Sequence, residues 1–102
     1  MKTPAPITKV EIVTLESFPP QYSAHVEFGL RNGCIEPGGY DVERQDNVIR
    51  IKVWVLEPAD PNTVCAQVYG TATYDVSLGS DFTSGETYTV DVNGVVITFT
   101  AQ

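Results

Sequence analysis

The chain has 102 residues, enough for one domain with its own core, and its 42% hydrophobic content is that of a folded protein rather than a disordered one. Thirteen acidic residues against six basic ones give a formal net charge of −7, which opposes phosphate backbones and anionic membranes, so nucleic acid is not an expected partner. No apolar run approaches the roughly 18–20 residues of a membrane span, and no transmembrane segment is expected.

The first stretch, Met1-Lys2-Thr3-Pro4-Ala5-Pro6, lacks the apolar h-region of a signal peptide and reads as an N-terminal tether, residues 1–6, before a single domain over residues 7–102. It fits a cytosolic protein, or an exported one whose leader has been removed; the Pro-rich tether favours the second. Ile7 to Leu15 is a first strand. Val10 and Ile12 alternate while Val13 and Leu15 continue on the opposite parity, which suggests a bulge or a change of face. Phe18-Pro19-Pro20 ends it. Tyr22, Ala24, Val26, Phe28 and Leu30 then alternate with polar residues or glycine, as in a half-buried strand.

Arg31-Asn32-Gly33 and Glu36-Pro37-Gly38-Gly39 form a turn-rich link that contains Cys34. A short third strand runs from Tyr40 to Arg44, followed by a tight turn at Gln45-Asp46-Asn47. Val48 to Leu56 is the fourth, with Ile49, Ile51, Val53 and Val55 on one face and Arg50, Lys52 and Trp54 on the other. Pro58 to Asn62 is a loop signal. Cys65 to Leu78 reads as one long strand or as two broken near Gly70, and Gly79 to Gly85 as another loop.

The chain ends on its strongest local signal. Glu86 to Val92 and Val95 to Thr100 are rich in β-branched and aromatic residues and flank Asn93-Gly94, a pair that accepts the positive φ angles of a type I′ turn. That turn sets Val92 against Val95, Val90 against Ile97 and Tyr88 against Phe99, and a one-residue slip would mix the two faces. About seven strands, short connections and no helical periodicity predict an all-β fold, an antiparallel immunoglobulin-like β-sandwich with a C-terminal hairpin at Asn93-Gly94.

Following the strands as an up-and-down path puts Cys34, the 57–64 loop, Cys65 and Asn93-Gly94 at one pole, here the upper, and the 79–85 loop at the lower. Shared parity predicts a Cys34–Cys65 disulfide rather than two free thiols, closing a loop of about 30 residues worth roughly 3–4 kcal/mol. A disulfide in turn implies an oxidising compartment and export, to a periplasm, a cell surface or the exterior.

Candidate chemistry is sparse. His25 is the only histidine and shares a strand face with Ser23 and Glu27, but a spacing of roughly 7 Å between outward side chains suits no triad. Asp60 with Asn62, and Asp81 with Glu86, are the best acidic loops for calcium, without the spacing of an EF-hand. Two cysteines and one histidine match no zinc pattern. No catalytic residue, metal or cofactor is therefore expected. Trp54, flanked by Arg50 and Lys52, could serve as a platform for a sugar or a protein, or pack at the core margin under the stems of its neighbours. With Asn93 and Gly94 these three residues form the candidate binding surface, for a protein or a carbohydrate.

Gly33-Cys34, Cys65, Val76-Ser77-Leu78-Gly79 and the pattern Gly85-x-x-Tyr88-x-Val90-x-Val92-Asn93-Gly94-x-x-x-x-Phe99 resemble small immunoglobulin-like modules of exported bacterial proteins and lipoproteins, over residues 33–99. Such modules mostly lack an assigned activity, and the resemblance implies a sandwich fold and export. The chain departs from antibody-type domains, whose cysteines bridge the two sheets, and it lacks the lipoprotein cysteine near its start. The expectation is a non-enzymatic module with a binding or spacer role. The alternatives are an immunoglobulin-like protease inhibitor presenting its pole loops, or a subunit of a surface assembly.

Overall fold

The computed structural model describes residues 1–60 and 62–102. Pro61, within the loop signal at 58–62, lies outside the described residues. Among these the fold is all-β, with eight strands: β1 (Lys2–Pro4), β2 (Ile7–Leu15), β3 (Gln21–Leu30), β4 (Glu36–Gln45), β5 (Val48–Leu56), β6 (Gly70–Gly79), β7 (Thr87–Val92) and β8 (Val95–Thr100). Two sheets face each other, one of β2-β3-β6 and one in which β5 pairs with β4, β1 and β7, and β7 with β8. The result is a β-sandwich compatible with an immunoglobulin-like arrangement. Every pairing is antiparallel except β5 with β7, which is parallel.

The core follows the period-two pattern. Ala24, Val26 and Phe28 of β3 and Val76 of β6 meet Ile49, Ile51, Val53 and Val55 of β5 and Val90 and Val92 of β7, all buried. Full burial of each large side chain is worth about 1.5–3 kcal/mol before chain entropy is subtracted. The C-terminal hairpin has the expected register, with Val92 opposite Val95, Val90 opposite Ile97 and Tyr88 opposite Phe99, and Asn93 takes φ 49° and Gly94 φ 92°.

The body is elongated, 52 × 24 × 17 Å, and its radius of gyration of 15.7 Å exceeds the roughly 13 Å of a compact chain of this length. The two ends are closed differently. At the lower pole Tyr22, Phe82, Tyr88 and Phe99 pack ring against ring, and the Arg44 guanidinium lies 4.6 Å from the Phe82 centroid. The two tyrosine hydroxyls there accept backbone bonds from Thr83 N (to Tyr88) and Gln102 N (to Tyr22), each 2.8 Å. At the upper pole the Cys34–Cys65 disulfide joins segments whose Cα atoms are 5.5 Å apart, and Arg31 pairs with Glu57. The expected disulfide is present.

Four readings of the sequence change. Residues 1–6, read as a tether, are part of the sheet: Lys2, Thr3 and Pro4 pair with Leu56, Val55 and Trp54, and Ala5 is buried. Three residues, one of them proline, are too few to show alternation. The irregularity in β2 lies between Ile7 and Lys9; Val13 and Leu15 do not change faces but sit half-exposed on the outer side. β4 begins at Glu36, four residues early, because a bulge between Pro37 and Tyr40 absorbs the Pro-Gly-Gly run. Gly38 is needed in that bulge, since a Cβ there would lie 3.0 Å from the backbone of Val55. Residues 65–69 carry strand-like side chains but form no strand, and β6 starts at Gly70.

Candidate functional site

The candidate residues Arg50, Lys52 and Trp54 project from the outer face of the β4-β5-β7-β8 sheet, because Ile49, Ile51, Val53 and Val55 occupy the inner one. Register sets acidic neighbours beside them: Glu43 of β4 and Asp91 of β7 flank Arg50, and Asp41 lies opposite Lys52. Among the described residues neither cation forms an ion pair within 4 Å. Two shallow depressions adjoin them. One, of about 150 Å³, is lined by Asp41, Val42, Glu43, Arg50, Lys52 and Trp54; the other, of about 200 Å³, by Arg50, Ile51, Lys52, Asp91, Asn93 and Gly94. Both are smaller than the roughly 300–1,000 Å³ of small-molecule pockets, so this face suits a surface contact rather than an engulfed ligand.

Trp54 is only partly exposed and is already engaged. Its indole N–H donates to Asp41 Oδ2 at 3.1 Å, and the Lys2 ammonium lies 4.9 Å from its ring centroid. Packing at the margin under a lysine stem and stacking of a ligand therefore compete for the same ring face, and Lys2 holds it here.

Asn93 and Gly94 do not sit at the pole with Cys34. Because β7 runs parallel to β5 and reaches only Ile51, the turn lies beside the middle of β5, and β1 occupies the rest of that edge. Asn93 closes the junction. Its backbone N–H donates to Ile51 O; its Nδ2 donates to Ala5 O and to Val53 O, both 2.9 Å; and its Oδ1 accepts from Val53 N at 3.0 Å. The side chain thus continues the ladder across the gap between two strands. Gly94 N donates to Asp91 Oδ1 at 2.8 Å. The five candidate residues do share one region of the outer face, with Asn93 committed to the fold.

On the opposite sheet His25 sits between Glu11 and Asp75 in register, and its Nδ1 lies 2.6 Å from Asp75 Oδ1. Ser23 Oγ instead donates to Val76 O, so serine and histidine do not meet. Lys9 and Glu11 pair at 2.9 Å, and the Glu11 hydrogen bond and charge hold the Lys9 ammonium above its ordinary value. A raised lysine adds stability below its ordinary value that is lost as pH rises through the raised one; at so exposed a pair the effect is small. Of the acidic loops, Asp60 Oδ1 accepts from Asn62 N, and Glu86 accepts from Asn47 Nδ2. Among the described residues no three His, Cys, Asp or Glu side chains gather as a metal site, and no helix is long and apolar enough to cross a membrane.

Comparison with protein families decides the lineage: the model of the ORF11 beta-sandwich domain matches residues 24–101. The chain belongs to the ORF11 beta-sandwich domain family. The matched stretch begins within β3 and covers both halves of the core, the disulfide and the C-terminal hairpin; β1 and β2 lie outside it. No curated protein and no solved structure matches this ORF11 beta-sandwich domain.

Proposed function

We propose that this domain is a non-catalytic, exported module that acts as a rigid in-line spacer and offers its outer sheet face for contact with a protein or a carbohydrate. One observation carries the spacer reading: the first and last strands leave the body at opposite poles. β1 starts beside Leu56 and Glu57, where the Met1 amino group donates to Glu57 O at 2.7 Å, while Gln102 is held by Tyr22 at the other end. A 52 Å body entered at one pole and left at the other separates its neighbours along its long axis. The disulfide supports export, since such bonds persist in oxidising compartments. The outer face supports contact through Arg50 and Lys52, which have no ion-pair partner among the described residues, and through the edge of Trp54.

Small-angle scattering on a tandem of two copies tests the spacer. The expected maximum dimension is about twice that of one copy, as for modules joined pole to pole. A tandem only slightly longer than a single copy would mean that the modules fold back side by side, and would remove the reading.

A further inference from the structure

We propose that β8 is a self-pairing edge, through which a second copy of this chain adds across a two-fold axis to form one continuous sheet. The proposal does not depend on the spacer role.

The outward groups of β8 follow from its pairing. Asn93 N and Thr89 N donate toward β5 and its preceding turn, so Val92, Val90 and Tyr88 point their backbone bonds at β8, and Val95, Ile97 and Phe99 answer them. The N–H and C=O groups of Val96, Thr98 and Thr100 therefore face the free edge. Gln102, the next residue of that parity, has its N–H capped by Tyr22. Val96, Thr98 and Thr100 have no such cap among the described residues.

The edges differ in how they are guarded. Exposed edges are ordinarily blunted by charge, proline, bulges or shortness. β4 carries Asp41, Glu43 and Arg44 and a bulge; β2 carries Lys9 and Glu11 and a bulge; β1 is three residues long and ends in Pro4. β6 carries Asp75 and is overhung by β4, since Tyr40 packs on Tyr74 and Gly39 N donates to the Tyr74 hydroxyl. β8, Val-Val-Ile-Thr-Phe-Thr, has no charge, no proline, no glycine and no bulge, and its Val96 is 56% exposed.

The second copy is the occupant that fits. Antiparallel pairing centred on Thr98 sets Thr98 against Thr98 of the second copy and Val96 against Thr100 of the second copy. That arrangement engages all the outward groups and brings no like charges together, although the chain as a whole carries −7. β2 of the other sheet lies against β8 on this side, and among the described residues no strand but β7 pairs with β8. Six residues make a small interface, and the dimer is weak and concentration-dependent.

Sedimentation equilibrium over a dilution series reads the result. The wild-type mass should rise toward twice the monomer with concentration. Thr98→Pro removes an outward N–H that the monomer does not use, and should stay monomeric with an unchanged melting temperature. Thr98→Lys should weaken association at least about ten-fold by setting two lysines face to face, and mixing it with Thr98→Asp should restore the dimer. A wild-type chain that remains monomeric throughout would overturn the proposal. So would a dimer indifferent to both Thr98→Pro and Thr98→Lys.

Discussion

Replacing Cys34 and Cys65 together by serine is expected to lower stability by about 3–4 kcal/mol, measured by urea unfolding of the double variant against the oxidised protein. The two cysteines are separated by 31 positions, and tying them removes the corresponding loop-closure entropy from the unfolded chain. The native side of the balance is undisturbed, because the Cα separation of 5.5 Å is an ordinary one for a disulfide. The segment that the bond holds has little else to hold it. Residues 65–69 form no strand, Val64, Val68 and Tyr69 are 95%, 63% and 61% exposed, and Gly33 N to Ala66 O, 2.8 Å, is a rare backbone tie. Amide exchange in the double variant should therefore accelerate first over residues 63–69, before the strands of the core open. A loss below about 1 kcal/mol would show that the unfolded chain is already constrained in this region. For a domain whose total stability is of the order of 5–15 kcal/mol, the larger figure would be a substantial share of the total and would support the export proposal.

Asn93→Ala carries the second large effect, a loss of about 3 kcal/mol. The substitution removes the Oδ1 acceptor used by Val53 N and the Nδ2 donor shared by Ala5 O and Val53 O, leaving part-buried backbone groups without partners. It also places alanine at φ 49°, which costs about 1 kcal/mol by itself. Asn93→Gly separates the two contributions: it accepts the positive φ and loses only the bonds, so it should recover about 1 kcal/mol of the deficit. Asn93→Asp keeps the acceptor but turns a carboxylate oxygen toward two carbonyls, and should be no better than alanine. Thermal unfolding of the three variants orders them. An alanine variant within 0.5 kcal/mol of the wild type, the usual range of a neutral surface substitution, would mean that Asn93 is only a turn residue.

How legible the fold was depends on how local its determinants are. The hairpin at Asn93-Gly94, the strand from Val48 to Leu56 and the strand around Phe28 carry their own periodicity and turn chemistry, and all three stand where the sequence puts them. The disulfide followed from strand parity, a property of the whole path. β1 was not legible, since Lys2-Thr3-Pro4 becomes a strand only because the edge of β5 beyond Ile51 is vacant. For the same reason strand parity puts the turn at Asn93 at the pole: nothing in Thr87–Val92 tells that this strand runs parallel to β5 and stops at its midpoint. Residues 65–69 include the strand formers Val68 and Tyr69 yet find no ladder, because partner availability rather than propensity decides.

The candidate surface was legible as a face but not in its commitments. Alternation along Val48–Leu56 puts Arg50, Lys52 and Trp54 together, whereas the contacts of Lys2 and Asp41 with Trp54 depend on β1 and β4. The role of Asn93 was hidden by its turn signal, which explains the residue fully without its side chain. Strand alternation puts His25 on an outward face apart from any nucleophile, and its partner there is Asp75 rather than Ser23.

The chain enters the sandwich at one pole and leaves at the other, with β1, β5 and β7 held as one sheet by Asn93. Energy transfer between dyes at Met1 and Gln102 tests it directly. The register places the two termini about 13 strand positions apart, so a single distance of about 40 Å is expected, constant with added denaturant until the whole domain unfolds in one step. A distance near half of that, or a change that precedes global unfolding as β1 detaches, would contradict it.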